Sequence, residues 1–387
     1  MLNKSWLVIF LSTLLFGLIF TVGCVTDDGE ISLEDEGFAP SKLKSFVNDR
    51  LRIDRSNKII KTDSATSCSS PNAVVIRQQD IDRTLITRSA YVINSPGYYC
   101  LGEDIKLFTT SNPYLQWRFN NTIFSGFAPW YGPWLININS SKVTFDLNNH
   151  AIVDNGQHQN RPNSLEVFRI QSVGNVKLND ITIKNGRLVL VEKGILVLGH
   201  INLTSPFVKN IKIQNIDFQD VFEPITAGFV QGLTITDNNF KHHSESKFQV
   251  GDDLYIRNNL FEDRDGVSDG VSVSYFRNVE LRNNTFYGSS PNGNNAAFKG
   301  DPNSDVRFDN NTVSSYPWAI SVPTLTSLHL PLNLNPGTWP HPFSPQFRTS
   351  LSYRDNKFCN VGSQTNVNNP NALVVAGPNN LVLANNC

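Results

Sequence analysis

The sequence predicts an all-β solenoid, a rod of stacked coils, and two periodic landmarks support that fold class. The first is a phrase of the form apolar–x–apolar–x followed by Asn or Asp. Its clearest copies are LTITDNNF at Leu233–Phe240, LYIRNNLF at Leu254–Phe261, VELRNNTF at Val279–Phe286 and VRFDNNTV at Val306–Val313. Phrases that start at residues 211, 233, 254, 279 and 306 lie 22, 21, 25 and 27 residues apart. A repeat of this length indicates units that bury an apolar face only by stacking on one another.

The second landmark is a strand-like segment that precedes each phrase. In four central coils it starts at residues 225, 248, 271 and 296, which are 23, 23 and 25 residues apart. The turn between segment and phrase ends in a residue that tolerates a left-handed backbone, namely Asn175, Asn210, Gly232, Asp253, Asn278 or Asp305. Each coil is therefore predicted to hold a first strand, the phrase strand, an Asn turn, a short third strand and a return loop. Strands of successive coils are expected to pair in parallel, about 4.8 Å apart.

Side-chain alternation predicts which residues line the interior of the rod. Val273 and Ile256 are expected to face inward, while Ser272, Ser274 and Arg257 face outward. The first Asn or Asp of each phrase is expected to form a buried ladder of amide hydrogen bonds, with an aromatic stack behind it. The expected ladder is Asp237, Asn258, Asn283 and Asn310, and the expected stack is Phe218, Phe240, Phe261 and Phe286.

Composition narrows the function classes. The 387 residues carry 33 basic and 34 acidic side chains, which argues against a nucleic-acid binder built on a broad basic surface. Charged residues make up only 17% of the chain, Asn is abundant and there is one Met. This profile favours an extracellular β-rich protein, and we expect no nucleic-acid partner.

The first 24 residues are typical of an export signal. Lys4 precedes the apolar run Trp6–Phe20, and Gly23 and Cys24 follow it. Three outcomes remain open: Cys24 is lipidated as in bacterial lipoproteins, the segment is cleaved and the protein secreted, or the run stays as a membrane anchor. Each outcome places the rest of the chain outside the cytoplasm, in the cell envelope or secreted. Anchoring through the N-terminus would make the membrane a partner.

The rest of the chain divides into three predicted regions. Residues 25–50 are acidic and lack apolar periodicity, which is typical of a flexible tether. Residues 51–134 form an N-terminal cap region, whose aromatic segment 114–134 is either an apolar cap or a sugar-stacking platform. Residues 135–387 form the solenoid, and a Pro-rich stretch at 315–348 is predicted to leave it as a long loop.

The cysteines remaining after Cys24 form two pairs at opposite ends of the chain. Of the three possible connectivities, Cys68–Cys100 with Cys359–Cys387 joins cysteines that are nearest in sequence. These two disulfides would crosslink both ends of the rod. Free buried thiols are the alternative. Export favours the disulfides.

At this point the chain resembles the right-handed parallel β-helix proteins of the pectin lyase-like superfamily. The resemblance covers residues 135–386 and rests on the Asn-turn phrase and its period. The opening SPGYYCLGEDI at Ser95–Ile105, followed by VTFDLNNHAI at Val143–Ile152, is similar to the start of exported bacterial β-helix repeat proteins. The resemblance implies a right-handed parallel β-helix of about nine coils. That superfamily includes lyases, polygalacturonases, epimerases and non-catalytic surface proteins, so the fold does not identify an activity.

The activity motifs of the superfamily are largely missing from this chain. Asp252 and Asp253 match only the DD element of the polygalacturonase pattern, and residues 199–201 form an incomplete GHG. No NTD or RIK stretch occurs, nor does the Arg-x-x-Pro-x-x-Arg pattern of pectate lyases. These departures put hydrolases and lyases of those types in doubt.

The resemblance implies that a sugar chain would lie across the outer face of the first strands and their flanking turns. The predicted substrate-binding residues are Arg169, Gln171, Gln249, Ser272, Ser274 and Trp318. Hydrolysis requires two carboxylates, for which Asp252 and Asp269 on adjacent coils are the candidates, with Lys299 beside them. Elimination requires a base and a cation, which Lys299 or Arg169 could supply together with Ca²⁺ held by Asp263 and Asp265. The alternative is that this acidic segment is only a solvated turn.

Two functions from different classes follow. The first is an exported cell-surface protein that binds polysaccharide along a lateral groove, with lyase or glycoside hydrolase activity. The alternative is a non-catalytic surface or adhesion module. Convergence of Asp252, Asp269 and Lys299 on an open groove would favour the enzyme. We expect a monomer with a glycan partner, and Ca²⁺ is the only candidate cofactor.

Overall fold

Parallel strand pairs run along almost all of the chain that the structure describes. The computed structural model describes residues 68–86, 90–107, 134–154, 166–172, 176–199, 208–263, 266, 268–300, 304–323, 349–368 and 372–384. Within these ranges 26 strands form one continuous hydrogen-bonded sheet. The all-β fold and the parallel β-helix predicted from the repeat are confirmed.

The described residues contain one helix and 26 strands. The helix α1 is Gln78–Ile86. The strands are β1 Val74–Ile76, β2 Tyr91–Ile93, β3 Gly97–Leu101, β4 Ile105–Lys106, β5 Trp134–Ile138, β6 Val143–Asp146, β7 Ala151–Val153, β8 Glu166–Gln171, β9 Asn179–Val189, β10 Lys193–Leu198, β11 Val208–Gln219, β12 Glu223–Thr236, β13 Asn239–Lys241, β14 Ser246–Arg257, β15 Leu260–Glu262, β16 Val271–Arg282, β17 Thr285–Tyr287, β18 Ala296–Gly300, β19 Ser304–Asp309, β20 Thr312–Ser314, β21 Trp318–Val322, β22 Ser350–Arg354, β23 Lys357–Cys359, β24 Ser363–Val367, β25 Leu373–Ala376 and β26 Leu381–Leu383.

The strands fall into three stacks that run along the rod. The leading stack holds the strands that precede the phrases: β2, β5, β8, β10, the first halves of β12, β14 and β16, then β18, β21 and β24. The phrase stack holds β1, β3, β6, the first halves of β9 and β11, the second halves of β12, β14 and β16, then β19, β22 and β25. The short stack holds β4, β7, the second halves of β9 and β11, then β13, β15, β17, β20, β23 and β26.

Residues with a left-handed backbone turn the chain from one stack to the next. Five of the six predicted turn residues have positive φ, with values of 53° at Asn210, 73° at Gly232, 60° at Asp253, 54° at Asn278 and 55° at Asp305. Asn175 lies outside the described residues. Asn, Asp and Gly adopt this conformation at the lowest cost, so the corners recur where these residues recur.

The interior is a continuous apolar core with an aromatic ladder. Val273 and Ile256 are fully buried, as alternation predicts. The predicted phenylalanine stack is present, with ring centroids 4.8, 4.5 and 4.8 Å apart and planes within 7° of parallel from Phe218 to Phe286. Burying each ring contributes roughly 1.5–3 kcal/mol to the free energy of folding. The ladder therefore stabilises the stacking of coils.

The buried polar ladder lies one residue later than the sequence analysis predicted. Asn258, Asn283 and Asn310 bond to one another at 3.1 and 2.7 Å, but these side chains are exposed. The buried ladder, called the asparagine ladder below, consists of the following residue of each phrase: Asn238, Asn259, Asn284, Asn311 and Asn356. The first residue of the turn has positive φ and points outward, 57° at Asn258 and 58° at Asn283, so the second residue points inward.

Both ends of the predicted solenoid need correction. Strands β1 to β4 pair with β3, β5, β6 and β7, so the β-helix begins before the predicted boundary at residue 135 and includes part of the predicted cap region. Strand β21 lies within the predicted loop 315–348 and pairs with β18 and β24. Residues 324–348 lie outside the described part of the chain, as do the predicted signal at 1–24 and tether at 25–50.

One predicted disulfide is present. Cys68 and Cys100 are bonded, with Cα atoms 5.8 Å apart. Cys359 is also disulfide-bonded, while its predicted partner Cys387 and the predicted lipidation site Cys24 lie outside the described residues. Within the described ranges no helix has the length and apolar character needed to cross a membrane.

Candidate functional site

The outer face of the leading stack carries a row of aligned side chains that the strand register defines. This outer row consists of Asn137, Arg169, Leu196, Thr226, Lys247, Ser272, Lys299 and Ser321. Inward-facing neighbours such as Phe168, Ile195 and Val273 are fully or almost fully buried. The row is polar except at Leu196, and its members Arg169, Leu196 and Ser321 are buried.

A second row lies at the beginning of the same strands. Trp134, Glu166, Lys193 and Glu223 stand opposite one another in successive coils. Each lies three positions before the outer-row residue of its own strand, so this strand-start row runs parallel to the outer row. On four consecutive coils the row holds an aromatic residue, an acid, a lysine and a second acid, in that order.

Glu166 is the most perturbed acid of this face. Its side chain is 1% exposed, and within the described part of the chain neither carboxylate oxygen has a hydrogen-bond partner. Burial raises the pKa of Glu166 to about 6, although the charges of Lys193 and Arg169 act to lower it. A buried carboxyl near neutral pKa can hold a proton at mildly acidic pH and release it during a reaction.

Lys193 lies between Glu166 and a second carboxylate. Its Nζ atom is 4.0 Å from Oε1 of Glu166 and 3.6 Å from Oε2 of Glu223. These two carboxylate oxygens are therefore at most 7.6 Å apart, the sum of the two distances. Paired glycosidase carboxylates are about 5 Å apart in retaining enzymes and about 6.5–9.5 Å apart in inverting enzymes, so the limit admits both kinds.

The alternation of charge continues toward later coils. Lys247 pairs with Glu223 at 3.1 Å and with Glu245 at 3.5 Å. Lys299 pairs with Asp269 at 2.8 Å. Burial, followed by the charge of Asp269, raises the pKa of Glu245, and this carboxylate also bonds to Ser272. Two lysines and three acids thus link the strand-start row to the outer row.

Aromatic and neutral polar groups lie within two coils of Glu166 on the same stack. The guanidinium of Arg169 lies over the Trp134 ring, 4.1 Å from its centroid. Nε1 of Trp134, Oδ1 of Asn137 and Oγ1 of Thr226 are buried and have no hydrogen-bond partner among the described residues. Buried polar atoms are normally paired, so this concentration on one face indicates a place where a polar ligand completes the bonding.

The structure brings together only two of the three predicted catalytic residues. Asp269 and Lys299 form the ion pair described above, and Oδ1 of Asp269 also accepts a bond from the backbone N–H of Ala296 at 2.8 Å. Asp252 lies on β14, beyond the other end of the part that belongs to the leading stack. There it forms a bidentate salt bridge with Arg277, at 2.7 and 2.8 Å. At about 3.3 Å per residue the two aspartates are on the order of 15 Å apart. The expectation that adjacent coils bring Asp252 close to Asp269 is wrong, because a full strand lies between their positions.

The predicted substrate-binding residues all lie on the leading stack. Ser272 and Arg169 belong to the outer row. Gln249 pairs with Gly228 and Ser274 two positions further along the strands, and Gln171 pairs with Leu198 in the corresponding place. Trp318 starts β21 opposite Ala296 and Ser363.

The predicted calcium ligands do not form a metal site among the described residues. Asp263 is buried and its Oδ2 accepts a bond from Asn295 at 3.3 Å, while Asp265 lies outside the described ranges. In the part of the chain that the structure describes, no three His, Cys, Asp or Glu side chains group together. The residues that can be placed do not fit a calcium ion, and no chemical step is derived through one.

Sequence analysis missed Glu166, Lys193 and Glu223. A signal for them was present, because each lies two residues before the inward residues Phe168, Ile195 or Ile225 of the first strands. Aligning those strands on their inward residues would have placed the three charges on one row. The search for paired acids instead followed the density of aspartates at residues 252–269.

Comparisons with known proteins gave matches among solved structures and in neither of the other two comparisons. No protein-family model matches the chain, and the comparison with curated proteins gave no match. Among solved structures, the chain is similar to DFA-IIIase from Arthrobacter chlorophenolicus A6 in complex with GF2, at 12% identity over 80% of this chain and 85% of that chain, with a TM-score of 0.26. It is also similar to the same enzyme without its lid, at 13% identity over 81% of this chain and 94% of that chain, with a TM-score of 0.20.

Proposed function

We propose that this protein binds a glycan along the outer face of the leading stack and hydrolyses a glycosidic bond beside Glu166. The observation that carries the proposal is the buried Glu166 carboxyl, with its pKa near 6 and its unpaired oxygens, next to a second carboxylate. Perturbed acids of this kind concentrate at catalytic sites.

The two carboxylates take different roles because their surroundings differ. Glu166 is buried and retains its proton at mildly acidic pH, so it donates that proton to the leaving glycosidic oxygen. Glu223 lies between the ammonium groups of Lys193 and Lys247, at 3.6 and 3.1 Å. It accepts the proton of the attacking water, or attacks the sugar itself and is released by water. In both versions one water is consumed and one glycosidic bond is broken.

The neighbouring groups position the sugar. The Trp134 ring, backed by Arg169, offers an apolar face to the C–H side of a sugar ring. The unpaired atoms of Asn137 and Thr226 are placed to exchange hydrogen bonds with hydroxyl groups. Polar side chains continue along the outer row on later coils, as binding of an extended chain requires.

Substitution of Glu166 tests the proposal. Glu166→Gln removes the proton donor without changing size, and we expect hydrolysis to fall by about 10²–10⁴-fold while glycan binding persists. The matched control is Glu280→Gln, because Glu280 is also a buried acid but lies on the phrase stack, paired with Arg257 and Arg307. The measurement is release of reducing ends from a panel of soluble glycans.

The pH dependence gives a second readout. Because Glu166 must carry its proton, kcat/KM of the wild type should fall as the pH rises through about 6. Lys193 lowers the pKa of Glu166, so Lys193→Met should move this alkaline limb to higher pH. Binding without turnover by the wild type would leave the non-catalytic adhesion module as the function, and unsaturated products would indicate a lyase.

We also propose an extracytoplasmic location, anchored in the cell envelope or secreted. The Cys68–Cys100 disulfide supports it, because disulfides persist in oxidising compartments. Fractionation of cells that express the full chain, with Cys24→Ser as the variant, distinguishes a lipid anchor from secretion.

A further inference from the structure

We infer that the proposed site takes a neutral glycan and rejects polyuronates; this inference rests on the glycan-binding function proposed above. The argument concerns the charges of the outer face. A polyuronate carries a carboxylate on every sugar, so a site that binds it must offer cations that its own acids do not already neutralise.

The lysines of this face are already neutralised by carboxylates. Lys193 pairs with Glu166 and Glu223, and Lys247 pairs with Glu223 and Glu245. Lys299 donates to Asp269 at 2.8 Å. A uronate that approached any of these lysines would have to displace a carboxylate that the fold holds in place.

The total charge of the face also disfavours anions. Four cations, Arg169, Lys193, Lys247 and Lys299, face the acids Glu223, Glu245 and Asp269, and Glu166 adds a fourth negative charge above its pKa of about 6. Glu192 adds a fifth carboxyl near Lys193 and Glu223, and burial raises its pKa. The face therefore has no positive potential to attract a polyanion.

Three neutral groups of this face have no hydrogen-bond partner among the described residues. They are the indole N–H of Trp134, the amide oxygen of Asn137 and the hydroxyl of Thr226. Such groups pair with sugar hydroxyls, which donate and accept hydrogen bonds without charge. These groups are therefore complementary to hydroxyl-bearing sugars.

A chemically matched pair of ligands tests the inference. Polyuronates can be converted to neutral polymers by carboxyl reduction, which changes each carboxylate to a primary alcohol and leaves the linkage intact. We expect the full chain to bind the reduced member of such pairs at least about tenfold more tightly, with little change between low and physiological salt. Tighter binding of the uronate member, weakened by salt, would overturn the inference.

A variant sharpens the test and separates it from the proposed hydrolysis. Glu245→Gln leaves Lys247 with one carboxylate fewer, so affinity for the uronate member should rise severalfold relative to wild type while affinity for the neutral member changes less. Neutral glycans that bind but are not cleaved would overturn hydrolysis and support the neutral specificity. Uronates that are cleaved in a Glu166-dependent way would support hydrolysis and overturn the specificity. Binding of neither member of any pair would overturn both.

Discussion

Two sets of stacked polar side chains run along the same rod and differ in how their hydrogen bonds are completed. In the asparagine ladder, Oδ1 of Asn284 accepts bonds from N and Nδ2 of Asn259, both at 3.0 Å, and its Nδ2 donates to Ile256 and Asn311. On the outer face of the leading stack, Glu166, Asn137 and Thr226 keep buried polar atoms without partners in the described chain.

The difference separates stability from function. A buried amide that is bonded above and below stabilises the stack, because neither neighbour could be satisfied by water. Unpaired buried groups on a scaffold face destabilise the free protein and are retained where a ligand completes them. The coil geometry is common to both sets, so the contrast arises from the side chains alone.

The largest expected effect comes from breaking the asparagine ladder. Asn284→Leu removes the bonds that Asn284 makes to the buried backbone N–H of Asn259 and to the carbonyl of Ile256, while Nδ2 of Asn259 keeps its bonds to backbone carbonyls. At about 1–3 kcal/mol for each unpaired group, partly relieved by relaxation, the free energy of unfolding should fall by about 3–5 kcal/mol. Urea unfolding monitored by circular dichroism measures this change.

The neighbouring asparagine provides the control. Asn283 is exposed, has φ of 58° and bonds only to other exposed amides. Asn283→Gly keeps the left-handed backbone accessible, so it should cost no more than about 1 kcal/mol. Equal losses for the two variants would contradict the assignment of the buried ladder to the second asparagine.

The sequence was sufficient to predict the stacking but not which asparagine is buried. The period of the repeat follows from the length of a coil, and each coil contains a copy of the same phrase. Residues 211–313 were therefore enough to predict the fold. Adjacent asparagines such as Asn283 and Asn284 are chemically identical, and only the sign of φ at the turn decides which one points inward.

The site was less predictable because it depends on register across return loops of unequal length. Lys299 and Asp269 were correctly grouped because only one coil separates them. Glu166, Lys193 and Glu223 are 27 and 30 residues apart along the chain and come together only when their strands are aligned on the core. The pKa of Glu166 arises from burial, which a linear sequence does not display.

The next prediction concerns a buried polar group that lies away from the outer face. His243 is 4% exposed, packs against Phe240 and Phe261 at 5.9 and 5.8 Å, and has no hydrogen-bond partner for either ring nitrogen among the described residues. Burial lowers the pKa of His243 to about 4. The unfolded chain binds this proton near 6.5, so the stability contributed by the neutral ring is complete above that pH.

That stability should be lost as the pH falls from about 6.5 to 4. The expected loss is about 3 kcal/mol, since each pKa unit corresponds to about 1.4 kcal/mol. His243→Phe, which extends the phenylalanine ladder, should abolish this part of the acid dependence in urea unfolding at pH 7 and pH 4. An unchanged acid dependence in the variant would show that His243 is paired or hydrated in the folded protein.

The smallest expected effect has the opposite sign and concerns Glu166. Its folded pKa of about 6 exceeds the ordinary value of 4.5, so its contribution to stability is complete below about 4.5 and is lost as the pH rises through 6. Above that pH the ionised form destabilises the fold by about 2 kcal/mol. Glu166→Gln does not titrate, so its stability relative to wild type should be about 2 kcal/mol more favourable at pH 8 than at pH 4.5.

The control Glu280→Gln loses two arginine pairs and should be destabilised at pH 8. A Glu166 variant that is both more stable at pH 8 and inactive would show that the outer face gives up stability for function. A variant that is less stable at pH 8 than at pH 4.5, relative to wild type, would place Glu166 with the satisfied groups of the asparagine ladder.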